Sequence, residues 1–151
     1  MKTLTLKQII TKIKLLNLKG SKGLEKSKTF QSKVKFDKFD LIVAIGKDGI
    51  MPASLLRHFL DLPVYTIWIN YRNKENTPIR KSPILTKPLN ENLKRLKNKN
   101  ILLVDTVSRT GKTLKKAKDI LKGNKIKTFV INGKADYSLY RFKECINWPW
   151  N

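Results

Sequence analysis

The stretch Ile101-Leu102-Leu103-Val104-Asp105-Thr106-Val107-Ser108-Arg109-Thr110-Gly111-Lys112-Thr113-Leu114 constrains this chain more than any other. A buried-type apolar run ends in a carboxylate, a loop of small polar residues follows, and a lysine-rich helix comes next. That order places Asp105 at the carboxyl end of a strand, where open α/β sheets bind their ligands. The loop 106–112 is expected to aim backbone N–H groups and a helix N-terminus at an anion, most naturally a phosphate. The segment therefore reads as a ribose-phosphate cradle. Asp105 takes sugar hydroxyls, while the loop amides and the Thr110 and Thr113 hydroxyls take a 5′-phosphate.

Two other readings compete for the same residues. Thr110-Gly111-Lys112-Thr113 invites comparison with the phosphate loop of nucleotide triphosphatases, but that loop needs a glycine five residues before Gly111. Thr106 stands there. The plainer reading is a buried strand followed by a helix capped by Thr110 or Thr113. A carboxylate at the strand end beside small polar residues favours a site.

The rest of the chain supplies matching elements. Residues 3–17 read as an amphipathic helix, because Leu6, Ile9, Ile10, Ile13 and Leu16 recur at helical spacing. Residues 19–35 carry few apolar groups and read as a solvated connection. Leu41–Ile45 is a strand, broken by a turn at Gly46-Lys47-Asp48-Gly49. Pro52 suits the first turn of a helix running to about Leu60, and 64–69 is the next strand. Residues 70–90 show no sustained period but hold three prolines and five Lys/Arg residues; so long a loop in a compact domain is usually functional. A short helix at 91–97, a strand at 101–105, a helix at 113–121 stopped before Gly123, a strand at 127–132 and an extended piece at 137–142 complete the order. Strands alternating with helices imply an α/β fold with a central, mostly parallel sheet flanked by helices.

Composition sets the outer limits. With 151 residues, 40% of them hydrophobic, the chain fits one domain spanning 1–151. No apolar run of about eighteen residues is present, so no membrane span is expected. The N-terminus lacks a signal-peptide pattern, and one cysteine, Cys145, leaves no internal disulfide or cysteine-based zinc site; a cytoplasmic protein is expected. The formal charge is +22, from 33 basic against 11 acidic residues. Such a field attracts polyanions. The lysines are dispersed rather than gathered in one stripe, so any nucleic-acid binding is expected to be weak and independent of sequence.

Residues 101–114 resemble the PRPP (phosphoribosyl pyrophosphate) motif of type I phosphoribosyltransferases: an apolar run, two acids, a short loop, Thr-Gly-x-Thr and a helix. Here Thr106 replaces the second acid. The strand end Gly46-Lys47-Asp48-Gly49 resembles the pyrophosphate loop of that family, with Lys47 at its basic position, Gly49 at its last glycine and Asp48 in place of a glycine. Gly46–Lys47 matches a bond that family members often hold in cis. The loop 70–90 stands where the family has its flexible catalytic loop, with Arg72, Lys74, Arg80 and Lys81 facing pyrophosphate. Toward the C-terminus the chain resembles the xanthine–guanine branch. Lys134 matches the lysine that contacts a purine 6-oxygen, and Pro149-Trp150 matches a terminal Pro-Trp. Cys145 stands at the stacking tryptophan, with Ile146 beside it and Trp148 displaced. Trp148 and Trp150 read equally well as a ligand-facing surface and as a hydrophobic clasp. Arg109 departs most, for the 6-oxopurine enzymes place an aspartate there and an arginine cannot act as a base. His58 reads as a partly buried helix residue.

The resemblance implies the type I phosphoribosyltransferase fold with an N-terminal helical segment (1–18) and a small C-terminal hood or tail (133–151). It implies an enzyme that joins a nucleobase, a purine by the C-terminal likeness, to PRPP and releases pyrophosphate. Asp105 and Lys47 are then catalytic. Asp105, Thr106, Val107, Ser108, Arg109, Thr110, Gly111, Lys112 and Thr113 hold ribose and 5′-phosphate. Gly46, Lys47, Asp48 and Gly49 hold pyrophosphate, and Lys134, Ile146 and Trp148 hold the base. Mg²⁺ arrives with PRPP and meets Asp105 only indirectly, and a homodimer or homotetramer is implied. The alternative is a non-catalytic PRPP or nucleotide sensor of the same fold that binds RNA or another polyanion, which Thr106, Arg109 and the positive charge favour.

Overall fold

The computed structural model describes residues 1–16, 38–75 and 77–151. The connection expected at 19–35 lies outside them. In order come β1 (Lys2–Thr3), α1 (Leu6–Leu15), β2 (Leu41–Ile45), α2 (Gly46–Leu60), β3 (Val64–Ile67), β4 (Ile69–Asn70), β5 (Ile84–Leu85), α3 (Glu91–Arg95), β6 (Asn100–Ser108), α4 (Lys112–Ile120), β7 (Lys125–Gly133), β8 (Tyr137–Tyr140) and β9 (Ile146–Asn147). Five strands form the central sheet in the order β3-β2-β6-β7-β8, and every pairing in it is parallel.

Alternation along the strands divides the core in two. Ile42, Ala44, Leu102, Val104, Phe129 and Ile131 pack with Ile9 and Ile13 of α1 and Ala53, Leu56 and Leu60 of α2. Their neighbours Leu41, Val43, Ile45, Ile101, Leu103 and Val130 pack with Leu93 of α3, Leu114 and Ala117 of α4, and Leu121 just after it. A sheet covered on both faces needs strands apolar at every position, as β2 is. Turns at its amino-terminal edge are tied together. Asn98 N donates to Gly123 O at 2.8 Å, and Asn124 Nδ2 donates to Leu96 O at 3.0 Å.

Several boundaries differ from the sequence expectation. Helix α1 begins at Leu6, where Thr5 and Gln8 form a reciprocal capping box; residues 2–3 instead pair in parallel with the tail residues 146–147. β6 runs on to Ser108, because β7 keeps pairing as far as Ser108↔Gly133. Residues 106–108 are therefore strand, and the turn shrinks to 109–111. The segment 70–90 is not structureless: β4 and β5 form a short antiparallel ribbon, with an isolated bridge between Arg72 and Pro78. His58 is exposed on α2.

Candidate active site

At the carboxyl end of the sheet lies a cleft of about 1390 Å³. Gly46, Lys47 and Asp48 line one side, residues 105–113 another, and Ile146, Trp148 and Trp150 of the tail a third. Two helices start there, and neither has a side-chain cap. The residue before α2 is Ile45, and α4 follows Gly111; no side chain bonds to the first-turn amides of either helix. Thr110 and Thr113 thus do not cap α4. First-turn N–H groups without partners, at the positive end of a helix, suit an anion.

The expected turn at 46–49 is the first turn of α2 instead, and every described peptide bond is trans, Gly46–Lys47 included. Pro52 consequently sits inside the helix rather than at its start. Proline has no N–H to offer the carbonyl four residues back, which is that of Asp48. Thr106 fills the gap: its hydroxyl donates to the Asp48 carbonyl oxygen. Thr106 is buried, 3% exposed. Its side chain fastens α2 to β6. A carboxylate in its place could not donate that bond, which gives a local reason for threonine at the second-acid position.

Gly49 is likewise part of the scaffold. It is buried, does not line the cleft, and a Cβ there would lie 2.6 Å from the Val104 carbonyl oxygen. Its absent side chain lets α2 press onto β6. Lys47 and Asp48 remain exposed at the cleft.

Asp105 is half-buried, and its Oδ1 accepts from the Thr106 backbone N–H at 2.7 Å. Burial pushes its carboxyl up from 3.8 to about 7; the Thr106 N–H opposes the shift and the Asp48 carboxylate adds to it. Arg109, Thr110 and Lys112 are exposed around Gly111, whose φ of 75° makes the turn into α4. Ser108 Oγ is buried with no hydrogen-bond partner.

Ile146 and Trp148 line the cleft as expected, whereas Lys134 is exposed and does not. Its backbone N–H bonds to Ser108 O at 3.1 Å, one residue beyond the end of β7. Asn132 lines the cleft instead. Trp148 and Trp150 stack with centroids 5.6 Å apart and rings 7° from parallel, pack against the core, and face the cleft. Of the basic residues in 70–90, Arg72, Lys74 and Arg80 line the cleft and Lys81 does not. Trp68 and Tyr71, which no sequence signal marked, line it too. The Lys112 ammonium lies 5.7 Å from the Tyr71 ring centroid and the Lys87 ammonium 3.9 Å from that of Trp68.

No group of three or more His, Cys, Asp or Glu side chains suited to a metal ion occurs among the described residues. That donor set fits a Mg²⁺ carried by a polyphosphate ligand, since Mg²⁺ usually takes one or two carboxylates with substrate phosphates and waters. Asp48, Glu75, Asp105 and Glu144 are the carboxylates that line the cleft.

A family model described as phosphoribosyl transferase domain matches residues 16–137. The chain belongs to the phosphoribosyltransferase family. It has the type I fold of that family. A purine phosphoribosyltransferase from Pyrococcus horikoshii is 27% identical, with a TM-score of 0.70 over 99% of this chain and 93% of that one. A Neisseria gonorrhoeae protein with bound ppGpp is 26% identical, with a TM-score of 0.68 over 99% of this chain and 89% of that one. The xanthine-guanine-hypoxanthine phosphoribosyltransferase of Helicobacter pylori, 20% identical over 74% of this chain and 73% of that one, shares the fold at a TM-score of 0.53. No curated protein sequence matches the chain. No helix among the described residues is long and apolar enough to cross a membrane.

Proposed function

We propose that the chain transfers the phosphoribosyl group of Mg²⁺·PRPP to a purine, yielding a nucleoside monophosphate and pyrophosphate. The observation that carries this reading is the convergence of two uncapped helix starts and Asp105 on one cleft. The Asp105 carboxylate accepts hydrogen bonds from the ribose hydroxyls. The amides of the turn into α4, with the Thr110 and Thr113 hydroxyls, hold the 5′-phosphate. Lys47 and the first-turn amides of α2 take pyrophosphate, whose negative charge grows as the C1′–O bond breaks. Mg²⁺ bound to PRPP supplies further charge neutralisation. The rate enhancement comes mainly from fixed dipoles and cations aimed at that developing charge. The Pyrococcus relative, a purine phosphoribosyltransferase, supports the choice of a purine. Calorimetric titration with Mg²⁺·PRPP, then a screen of bases for pyrophosphate release, tests the proposal. Failure of PRPP to bind rejects it.

A second reading is a nucleotide sensor of the same fold. It is favoured by Thr106, whose hydroxyl is committed to the scaffold, and by the ppGpp-bound Neisseria relative. Binding of PRPP or a nucleotide without pyrophosphate release from any base selects it. An attached RNA-binding role would show as RNA affinity that survives physiological salt, because contacts made only by dispersed lysines fade as salt rises.

A further inference from the structure

Lys134, which the family resemblance assigns to a purine 6-oxygen, does not line the cleft. Another donor stands at the tail side of the same cleft. Arg109 is exposed there, and its Nη2 lies 3.7 Å from Sγ of Cys145, at the root of the tail that carries Ile146 and the stacked tryptophans. No ion pair to Arg109 forms among the described residues; the ion pairs present there join Met1 to Glu144 and Lys94 to Glu91. Next to it, Ser108 lines the cleft, 5% exposed, with a hydroxyl that has no partner. Buried hydroxyls are nearly always satisfied; within the chain this one is not. A cationic fork and a flat aromatic wall thus share one end of the cleft.

We infer that Arg109 is the specificity-determining residue for the base, reading the O6/N7 edge of a 6-oxopurine nucleotide. This rests on the purine site proposed above. A 6-oxopurine presents two adjacent acceptors, O6 and N7, which match the parallel N–H donors of a guanidinium. Adenine presents the N6 amino group, a donor, against the same fork. Arg109 is protonated at every usable pH, so it selects the form in which N7 carries a lone pair, as it does in the N9-ribosylated nucleotide.

The test is calorimetry on the full chain with GMP, IMP, AMP, 7-deaza-GMP and, separately, Mg²⁺·PRPP. GMP and IMP are expected to bind about tenfold or more tightly than AMP, and 7-deaza-GMP, which lacks the N7 acceptor, to lose a similar factor against GMP. Arg109→Met is expected to bring the GMP:AMP ratio close to one, while Lys134→Met leaves it in place. PRPP binding with AMP as tight as GMP, or 7-deaza-GMP as tight as GMP, overturns the assignment and leaves the phosphoribosyl reading standing. A ratio that collapses in Lys134→Met but survives Arg109→Met also overturns it. If neither PRPP nor any nucleotide binds, both readings fall. The wild-type ligand series needs no variant to fold.

Discussion

The two turns that open onto the cleft are built in opposite ways. The start of α2 is held from below: Gly49 lies against the Val104 carbonyl, and Thr106 serves the carbonyl that Pro52 leaves without a partner. The turn from β6 into α4 is held only at its ends. Arg109, Thr110 and Lys112 are exposed, and a Cβ on Gly111 would meet nothing within 4 Å. Both present amides to the same space, yet substitution in the first should act on stability and in the second on ligand binding. A residue that lines a cleft and a residue that shapes it need not look different in sequence.

The largest effect expected from this contrast is at Gly49. Gly49→Ala forces a 2.6 Å contact with main chain, and overpacking against backbone costs about 3 kcal/mol or more. Urea denaturation measures it; a loss under about 1 kcal/mol would mean that the start of α2 yields easily, and the contrast would fail.

Asp105→Asn is next, and it separates binding from stability. Loss of the charged acceptor should weaken Mg²⁺·PRPP binding by about 1.5–3 kcal/mol. Stability should move the other way. With its carboxyl raised to about 7, the folded chain holds a proton that the unfolded chain has already released, so Asp105 makes stability fall as pH rises from about 4 to about 7. Above that range the asparagine variant should be the more stable protein and should lack this part of the pH slope. Thermal unfolding at pH 5 and pH 8 checks the sign, and an unchanged slope would argue against burial as the cause.

Thr106→Val keeps the shape and deletes the hydroxyl. Leaving the Asp48 carbonyl unmatched should cost about 1–2 kcal/mol of stability. Thr106→Asp, which restores the second acid of the family motif, should cost more, because it cannot donate and adds a buried carboxylate beside Asp105. Higher turnover in Thr106→Asp with stability intact would show that the threonine is not structural.

Gly111→Ala should matter least to folding, about 1 kcal/mol, the low end of the cost of a left-handed non-glycine residue, because a Cβ there meets open space. If it costs as much as Gly49→Ala, the distinction between a braced and an open turn disappears.

Much of the fold was legible before any coordinates. The strands at 41–45 and 101–105, the helix after Gly111 and the carboxylate at the strand end follow from apolar runs and punctuating residues, which act over a few neighbours. The parallel sheet follows from their alternation. Asp105 is expected at the cleft from its place at a strand end, and Lys47, Ile146 and Trp148 from the family likeness; all four line it. The same likeness names Gly49 and Lys134, which do not line the cleft, and Thr106, which lines it while its hydroxyl bonds to α2.

What the sequence alone determined is local: where the chain is apolar enough to be strand, where glycine or a charged residue stops it, and which residues stand at the strand ends. What only the tertiary structure decided is partnership across the fold. Nothing near Thr106 in sequence shows that its hydroxyl will meet the carbonyl orphaned by Pro52, and nothing near Lys2 shows that it will pair with Ile146. Hydrogen bonds and packing act through space over a few ångströms, so a side chain's role is set by neighbours that the fold brings from far along the chain.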